Sequence, residues 1–125
     1  QCLAEGVIEH AEVVASLCRH ALGSDPVQRA ARHDHWRETY VGTTRDDGTV
    51  LEGFIDLVYR DDDGSLVIVD YKTDAIPGAA FAARAEFYRP QMDAYVEALS
   101  QATGNRSVSA VLLFLNPEGA AAHPM

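Results

Sequence analysis

The 125 residues include 19 acidic and 10 basic side chains, which give a formal net charge of −9. This length allows one small domain with a modest core, and a hydrophobic fraction of 47% with 23% charged residues excludes general disorder. The sequence has no apolar run of about 18 residues, which excludes a transmembrane helix and predicts a protein with no membrane partner. The acidity argues against a stand-alone, non-specific nucleic-acid binder, because such binders need clustered Lys and Arg.

The chain opens with Gln1, and no signal pattern follows it. We therefore expect a piece of a longer, cytoplasmic polypeptide. Cys2 and Cys18 lie too far apart for a CxxC pair, so neither a zinc ribbon nor a four-cysteine iron–sulfur cluster is expected within this chain.

Apolar residues at helical spacing predict a first helix over 3–22, which Gly23 ends. Ser24-Asp25-Pro26 supplies a cap and a first-turn proline for a short second helix through Arg32. Alternating and continuous apolar runs, separated by Asp/Gly turns, then predict three strands, over 35–42, 50–59 and 66–72.

A long helix is predicted over 79–103, between Pro77-Gly78 and Gly104, and a last apolar strand over 107–115. The order ααβββαβ predicts an α/β fold, in which three meandering strands and a helical crossover form a mixed sheet with flanking helices. The expected organisation is a helical segment, a core and a flexible tail, at 1–34, 35–116 and 117–125.

The acidic residues concentrate in one window. The segment from Asp46 to Asp74 contains nine acidic and two basic residues, so it carries −7 of the net charge of −9. Lys72, within it, is the only lysine in the sequence.

If the second and third strands form a hairpin with Asp56 opposite Asp70, then Asp56, Asp70 and Lys72 share one face. Val58, Leu66 and Ile68 then lie beneath them as core. This register needs an odd-numbered loop over 61–65, which we adopt. A two-residue turn would instead place Asp56 on the opposite face.

Two carboxylates this close at the ends of apolar strands need a cation, and oxygen ligands suit Mg²⁺ or Mn²⁺. A lysine beside such a metal can orient or deprotonate an attacking water, so this trio points to phosphodiester hydrolysis. The alternative is an ion-pair cluster without chemistry. On the long helix, Tyr88, Gln91 and Tyr95 share a face, which suits either a polar site or ordinary amphipathicity.

These motifs resemble the RecB-like branch of the PD-(D/E)XK nuclease superfamily, and most closely the domain that follows a UvrD-type helicase in proteins of the AddA/RecB kind. The resemblance runs from about residue 35 to 115. It rests on Glu38, Gly53-Phe54-Ile55-Asp56, Asp70-Tyr71-Lys72-Thr73 and Gln91-x-x-x-Tyr95. The fold that it implies is restriction-endonuclease-like.

The resemblance also implies residue roles. Asp56, Asp70 and the backbone carbonyl of Tyr71 are the implied ligands of Mg²⁺ or Mn²⁺, and Lys72 is the implied catalytic lysine. The residues that complete the implied site are Gln91 and Tyr95, supported by Glu38, Tyr88 and Thr73.

One element of the family pattern is missing. The family's metal-binding histidine on an earlier helix has no counterpart here, because the contexts of His10, His20, His33 and His35 do not match it. We therefore expect the chain to begin after the helix that carries this histidine in the family.

The implied function is a magnesium-dependent DNA exonuclease domain of an ATP-dependent helicase–nuclease that processes double-strand breaks for recombinational repair. Its helicase module, which alone binds ATP, delivers the DNA, and a second helicase or nuclease subunit is a further expected partner. The alternatives are a nuclease-inactive DNA-binding or scaffolding module, against which the intact Asp56, Asp70 and Lys72 argue, and a stand-alone nuclease of the superfamily.

Overall fold

The computed structural model describes residues 2–73, 80–116 and 119–125, with the side chains of 2–10 and 81 left undescribed. Its elements are α1 (Cys2–Gly23), α2 (Asp25–Ala31), β1 (His35–Thr44), β2 (Val50–Arg60), β3 (Leu66–Lys72), α3 (Phe81–Thr103), β4 (Val108–Asn116) and β5 (Gly119–Pro124). Within the described ranges, none of the helices has the length and apolarity that crossing a membrane requires. The start predicted for the long helix, at Ala79, lies outside the described residues.

The five strands form one sheet in the order β1-β2-β3-β4-β5. β3 and β4 run parallel, as expected for strands joined by the crossover helix α3, and the other neighbours are antiparallel. The predicted α/β fold with a mixed sheet is confirmed. The continuous apolar runs of β3 and β4 reflect their places inside the sheet, where both faces are covered.

The C-terminal segment was predicted to be a flexible tail, but the structure shows a strand there. Residues 119–124 form β5, which pairs with β4 from Asn116↔Gly119 to Val111↔Pro124. The Met125 N–H extends this contact by donating to the Ala110 carbonyl at 2.9 Å. Alanine-rich sequence has little strand propensity, but the edge of β4 offers a row of backbone groups whose hydrogen bonds do not depend on side chains.

Two apolar layers cover the faces of the sheet. One lies under α3 and includes Ile68, Met92 and Phe114, each at most 1% exposed. The other, on the opposite face, includes Val69 and Leu113, with α1 and α2 residues packed against it. The sheet is therefore the middle of three layers, with α3 on one face and α1 and α2 on the other.

Part-way along β1 and β2, the alternation of side chains between the two faces of the sheet is interrupted. Ile55 belongs to the core under α3, whereas Leu57, two residues later, belongs to the opposite core. The change coincides with Glu38, whose φ of 50° lies in the left-handed region that non-glycine residues rarely adopt. The regular pairing of β1 with β2 is interrupted at this point, and Glu38 falls between the partners of Leu57 and Ile55, at the level of Asp56.

Valines at the two ends of β2 give a matched test of this core. Val58 is 2% exposed and Val50 is 60% exposed. We expect Val58→Ala to lower the free energy of unfolding by about 2 kcal/mol through lost burial and the cavity left behind. Val50→Ala should change it by less than about 0.5 kcal/mol. Denaturant titration measures both, and equal effects would contradict the core as described.

Candidate functional site

The β2–β3 hairpin has the register that the sequence predicts. Its pairs run from Arg60↔Leu66 to Leu57↔Val69, and the Asp61 N–H donates to the Ser65 carbonyl at 2.8 Å to close an odd-numbered loop. The side chains of Val58, Leu66 and Ile68 accordingly lie together in the core under α3.

The Asp56 carboxylate lies where regular pairing of β2 with β3 ends. Beyond Leu57↔Val69 the Tyr71 N–H donates to Asp56 Oδ2 at 2.8 Å. In an extended strand, the N–H and C=O of one residue point towards the same neighbour. The Tyr71 carbonyl therefore faces the side on which the Asp56 carboxylate lies.

Asp70 is a buried carboxylate, only 4% exposed, near the end of β3 and two residues before Lys72. Its Oδ2 atom lies 2.7 Å from Lys72 Nζ. That oxygen nevertheless receives no hydrogen bond of acceptable direction from the described residues. Burial raises the pKa of Asp70 to about 6 even though Lys72 opposes the shift, and the nearby Asp56 charge raises it further.

Lys72 is held from the helix side as well as by Asp70. Its ammonium donates to Gln91 Oε1 at 2.9 Å and lies 4.2 Å from the centre of the Tyr88 ring. Gln91 Nε2 in turn donates to the Tyr95 hydroxyl at 3.2 Å. Of the three α3 residues selected from the sequence, Tyr88 and Gln91 thus contact Lys72 directly, and Tyr95 contacts Gln91.

The remaining predicted residues lie at the margins. Glu38 is exposed and lies on β1 at the level of Asp56, and Thr73 is exposed directly after β3. Asp74, the last residue of the acidic window, lies outside the described residues.

The donor set suits a hard divalent cation. Two carboxylates, of Asp56 and Asp70, and one backbone carbonyl, of Tyr71, offer oxygen atoms only, which Mg²⁺ and Mn²⁺ favour. The Asp70 oxygen that lacks a well-directed hydrogen bond is a buried acceptor of the kind that a cation satisfies. The residues present therefore fit the implied metal.

A second group of titratable residues lies at the opposite end of the hairpin. Ligand atoms of His33, Asp61 and Asp62 all lie within 4.8 Å of one another. Arg29 contacts Asp61 Oδ1 at 2.6 Å, and His33 Nε2 contacts Asp62 Oδ1 at 2.7 Å. The Arg29 hydrogen bond lowers the pKa of Asp61, and a hydrogen bond to the Arg29 carbonyl raises the pKa of His33. These contacts join α2 to the hairpin turn, and the Arg29 guanidinium on Asp61 disfavours a metal there.

Sequence reasoning included Gly53 in the quoted motif but gave it no role at the site. An added Cβ at Gly53 would lie 2.8 Å from Tyr95 Cε1, so the Tyr95 ring rests directly on the Gly53 backbone. The available signal was a glycine inside a strand, which often marks a close approach.

Comparison with known families gives one match over almost the whole chain. A family model described as the PD-(D/E)XK nuclease superfamily matches residues 8–124.

Two relatives carry names that describe them as subunits of an ATP-dependent helicase/nuclease. The chain is 42% identical over 72 residues to the protein from Desulforudis audaxviator and 35% identical over 69 residues to that from Carboxydothermus hydrogenoformans. These alignments cover 58% and 55% of this chain but only 6% of each relative.

The structure is also similar to a solved one, the crystal structure of SSO0001. The TM-score is 0.55 at 17% sequence identity, over 95% of this chain and 49% of the other. This likeness supports the fold.

The raised pKa of Asp70 predicts how stability changes with pH. The folded chain keeps a proton on Asp70 up to about pH 6, whereas an ordinary aspartate loses it near 3.8. Rising pH between these values therefore lowers the free energy of unfolding, and the loss persists above them. Asp70→Asn lacks this titration, so relative to the wild type it should gain stability as the pH rises from about 4 to about 7.

Denaturant titrations with a chelator present measure this difference. Asp93→Asn, a change at an exposed carboxylate on α3, is the control. If the difference in unfolding free energy between Asp70→Asn and the wild type stayed constant with pH, this would contradict the raised pKa of Asp70.

Proposed function

Because the chain belongs to the PD-(D/E)XK nuclease superfamily, we propose that it is the magnesium-dependent DNA nuclease domain of an ATP-dependent helicase–nuclease. Its reaction is hydrolysis of DNA phosphodiesters, as an exonuclease, during the processing of double-strand breaks for recombinational repair in the cytoplasm. ATP binding belongs to the helicase, which delivers the DNA strand, and a second helicase or nuclease subunit completes the assembly.

The names of the two relatives support the helicase context, since both are helicase/nuclease subunits. The chain's own charge supports it too. A domain with a net charge of −9 gains little from the phosphate backbone, so the strand has to be brought to the site by another module.

The observation that carries the proposal is the joining of Asp56, Asp70 and Lys72 at one end of the hairpin. Asp70 lies 2.7 Å from Lys72, and the Asp56 carboxylate accepts the N–H of the residue between them. A structural ion pair needs one carboxylate. Burial raises the pKa of Asp70 and the second carboxylate adds like charge, which a divalent cation bound to both carboxylates would offset.

We assign the metal to Asp56, Asp70 and the Tyr71 carbonyl, with Mg²⁺ or Mn²⁺ as the ion. When bound, such an ion polarises the phosphoryl oxygen and lowers the pKa of coordinated water. Asp56 and Asp70 would hold this ion beside Lys72, where we propose that the scissile phosphate binds.

Lys72 is the group assigned to the reaction itself. Water forms a bond to phosphorus as the ester P–O bond breaks, and negative charge grows on the phosphoryl oxygens. We assign to the Lys72 ammonium the role of donating to those oxygens or of orienting the water. Gln91 fixes the ammonium through the 2.9 Å hydrogen bond, and Tyr95 fixes the Gln91 amide. Tyr88, whose ring contacts Lys72, supports it from the side, and Glu38 and Thr73 are proposed as supporting residues at the margins.

Metal binding should be visible as stabilisation of the purified protein. Mg²⁺ or Mn²⁺ at a hundredfold excess over its Kd stabilises by about 2.7 kcal/mol, which raises the melting temperature. Asp56→Asn should abolish the shift, while the exposed Asp93→Asn should keep it. A metal-dependent shift that survives Asp56→Asn would remove Asp56 from the ligand set.

Activity should depend on the trio in the intact helicase–nuclease. Lys72→Ala and Asp70→Ala are each expected to lower Mg²⁺-dependent degradation of linear DNA by about 10²-fold or more, because each removes a charged group at the reacting phosphate. Asp63→Ala, at the turn of the same hairpin, is the matched control with expected wild-type activity.

The outcomes separate the candidate functions. Degradation that survives both Lys72→Ala and Asp70→Ala would contradict these roles. A wild-type protein that binds DNA without degrading it in Mg²⁺ would favour the scaffolding alternative, and nuclease activity without a helicase module would favour a stand-alone enzyme.

A further inference from the structure

We infer that Gly53 is a positioning residue for the proposed nuclease reaction, acting on Lys72 through Tyr95 and Gln91. This inference rests on the proposed function for its catalytic consequence. The contact that carries it stands on geometry alone.

The contact lies between the backbone of β2 and the aromatic ring on α3. A Cβ built on Gly53 lies 2.8 Å from Tyr95 Cε1 and 3.4 Å from its hydroxyl oxygen. The first distance falls about 0.6 Å short of the 3.4 Å at which ordinary contact begins. Any side chain at position 53 therefore pushes on the Tyr95 ring.

The strand itself cannot easily give way. Gly53 pairs with Val41 of β1, and the Val41 side chain, 4% exposed, lies in the core under α3. The backbone at Gly53 also lies outside the positive-φ range, so alanine meets no conformational penalty there. The steric conflict has to be relieved by the Tyr95 ring.

Displacing Tyr95 changes what holds Lys72. The Tyr95 hydroxyl accepts from Gln91 Nε2, and Gln91 Oε1 accepts from Lys72 Nζ. The two ends of one amide thus link the tyrosine to the lysine. A shift of the Tyr95 hydroxyl removes the hydrogen bond that orients the Gln91 amide. The Lys72 ammonium then loses an acceptor in a fixed position.

The chain contains its own matched control. A Cβ at Gly42 would also meet a tyrosine at 2.8 Å, but the atom it meets is the hydroxyl of Tyr40, a side chain that is 56% exposed. Tyr40 contacts Glu52 and Phe54 on β2, and its ring can turn into solvent. Gly42→Ala therefore introduces the same methyl group against the same residue type without reaching Lys72.

The test compares Gly53→Ala with Gly42→Ala in the intact helicase–nuclease. We expect Gly53→Ala to lower kcat for Mg²⁺-dependent DNA degradation by about 10- to 100-fold with little change in KM, as for a small misplacement of a reacting group. Gly42→Ala should retain the wild-type kcat.

A second readout follows Lys72 directly. Since it is the only lysine among the 125 residues, peptide mass spectrometry after brief acylation at one fixed pH reports a single side-chain amine from this domain. Loss of the Gln91 acceptor should raise the acylation rate in Gly53→Ala by about fivefold, the equivalent of one hydrogen bond. A purely structural role for Gly53 would change stability without changing this rate.

A second variant covers the case in which Gly53→Ala does not fold. Tyr95→Phe keeps the ring and removes the hydroxyl, so it should lower kcat and raise Lys72 acylation in the same directions. Where both variants fold, the variant that combines Gly53→Ala with Tyr95→Phe should lower kcat no further than the more damaging single change, since both act on Lys72 through Gln91.

Each outcome decides a different point. Wild-type kcat and Lys72 acylation in Gly53→Ala, or in Tyr95→Phe, would overturn the positioning role while leaving the proposed function intact. Wild-type protein without Mg²⁺-dependent degradation would overturn the proposed function, and faster acylation in Gly53→Ala alone would then still support the Gly53–Tyr95–Gln91–Lys72 connection.

Discussion

The ionic contact between buried Asp70 and Lys72 is the constraint on which the rest of the site depends. A carboxylate that is 4% exposed is costly to ionise, and its neighbour Asp56 adds like charge. One ammonium group offsets part of this cost without giving Asp70 a well-directed hydrogen bond. Additional positive charge would offset the rest of this cost, which is the physical basis of the proposed cation-binding role.

The same helix stabilises the fold and shapes the site. Met92 of α3 is fully buried against the sheet, while Gln91, directly before it, faces Lys72. Packing of the Met92 side chain therefore fixes the height and rotation at which the Gln91 amide is presented. Tyr95, one turn further on, packs against the same core and against Gly53. Changes in core packing under α3 should consequently be felt at Lys72, even without contact with the reacting groups.

Much of this arrangement could be predicted from residue patterns. The register of the hairpin followed from the condition that Asp56, Asp70 and Lys72 share one face, together with a loop rich in Asp and Gly. The shared helix face followed from the spacing of Tyr88, Gln91 and Tyr95. The chemical roles of these residues remain predictions. Other features depend on contacts between distant parts of the chain, which residue patterns do not reveal. The left-handed Glu38 interrupts the alternation of β1 at a non-glycine residue, and β5 forms from alanine because β4 offers a free edge. The contact of Gly53 with Tyr95 joins residues 42 positions apart, which only the packed fold brings together.

The strand β5 also has a consequence for solubility. β4 carries the run Val111, Leu112, Leu113, Phe114 and Leu115, and without a neighbour on that side it would present an apolar edge able to pair with another copy of itself. β5 occupies that edge and places small side chains at the border of the sheet. Removal of β5 would expose this apolar strand, so we expect a polypeptide cut after Asn116 to self-associate more readily than one that keeps β5.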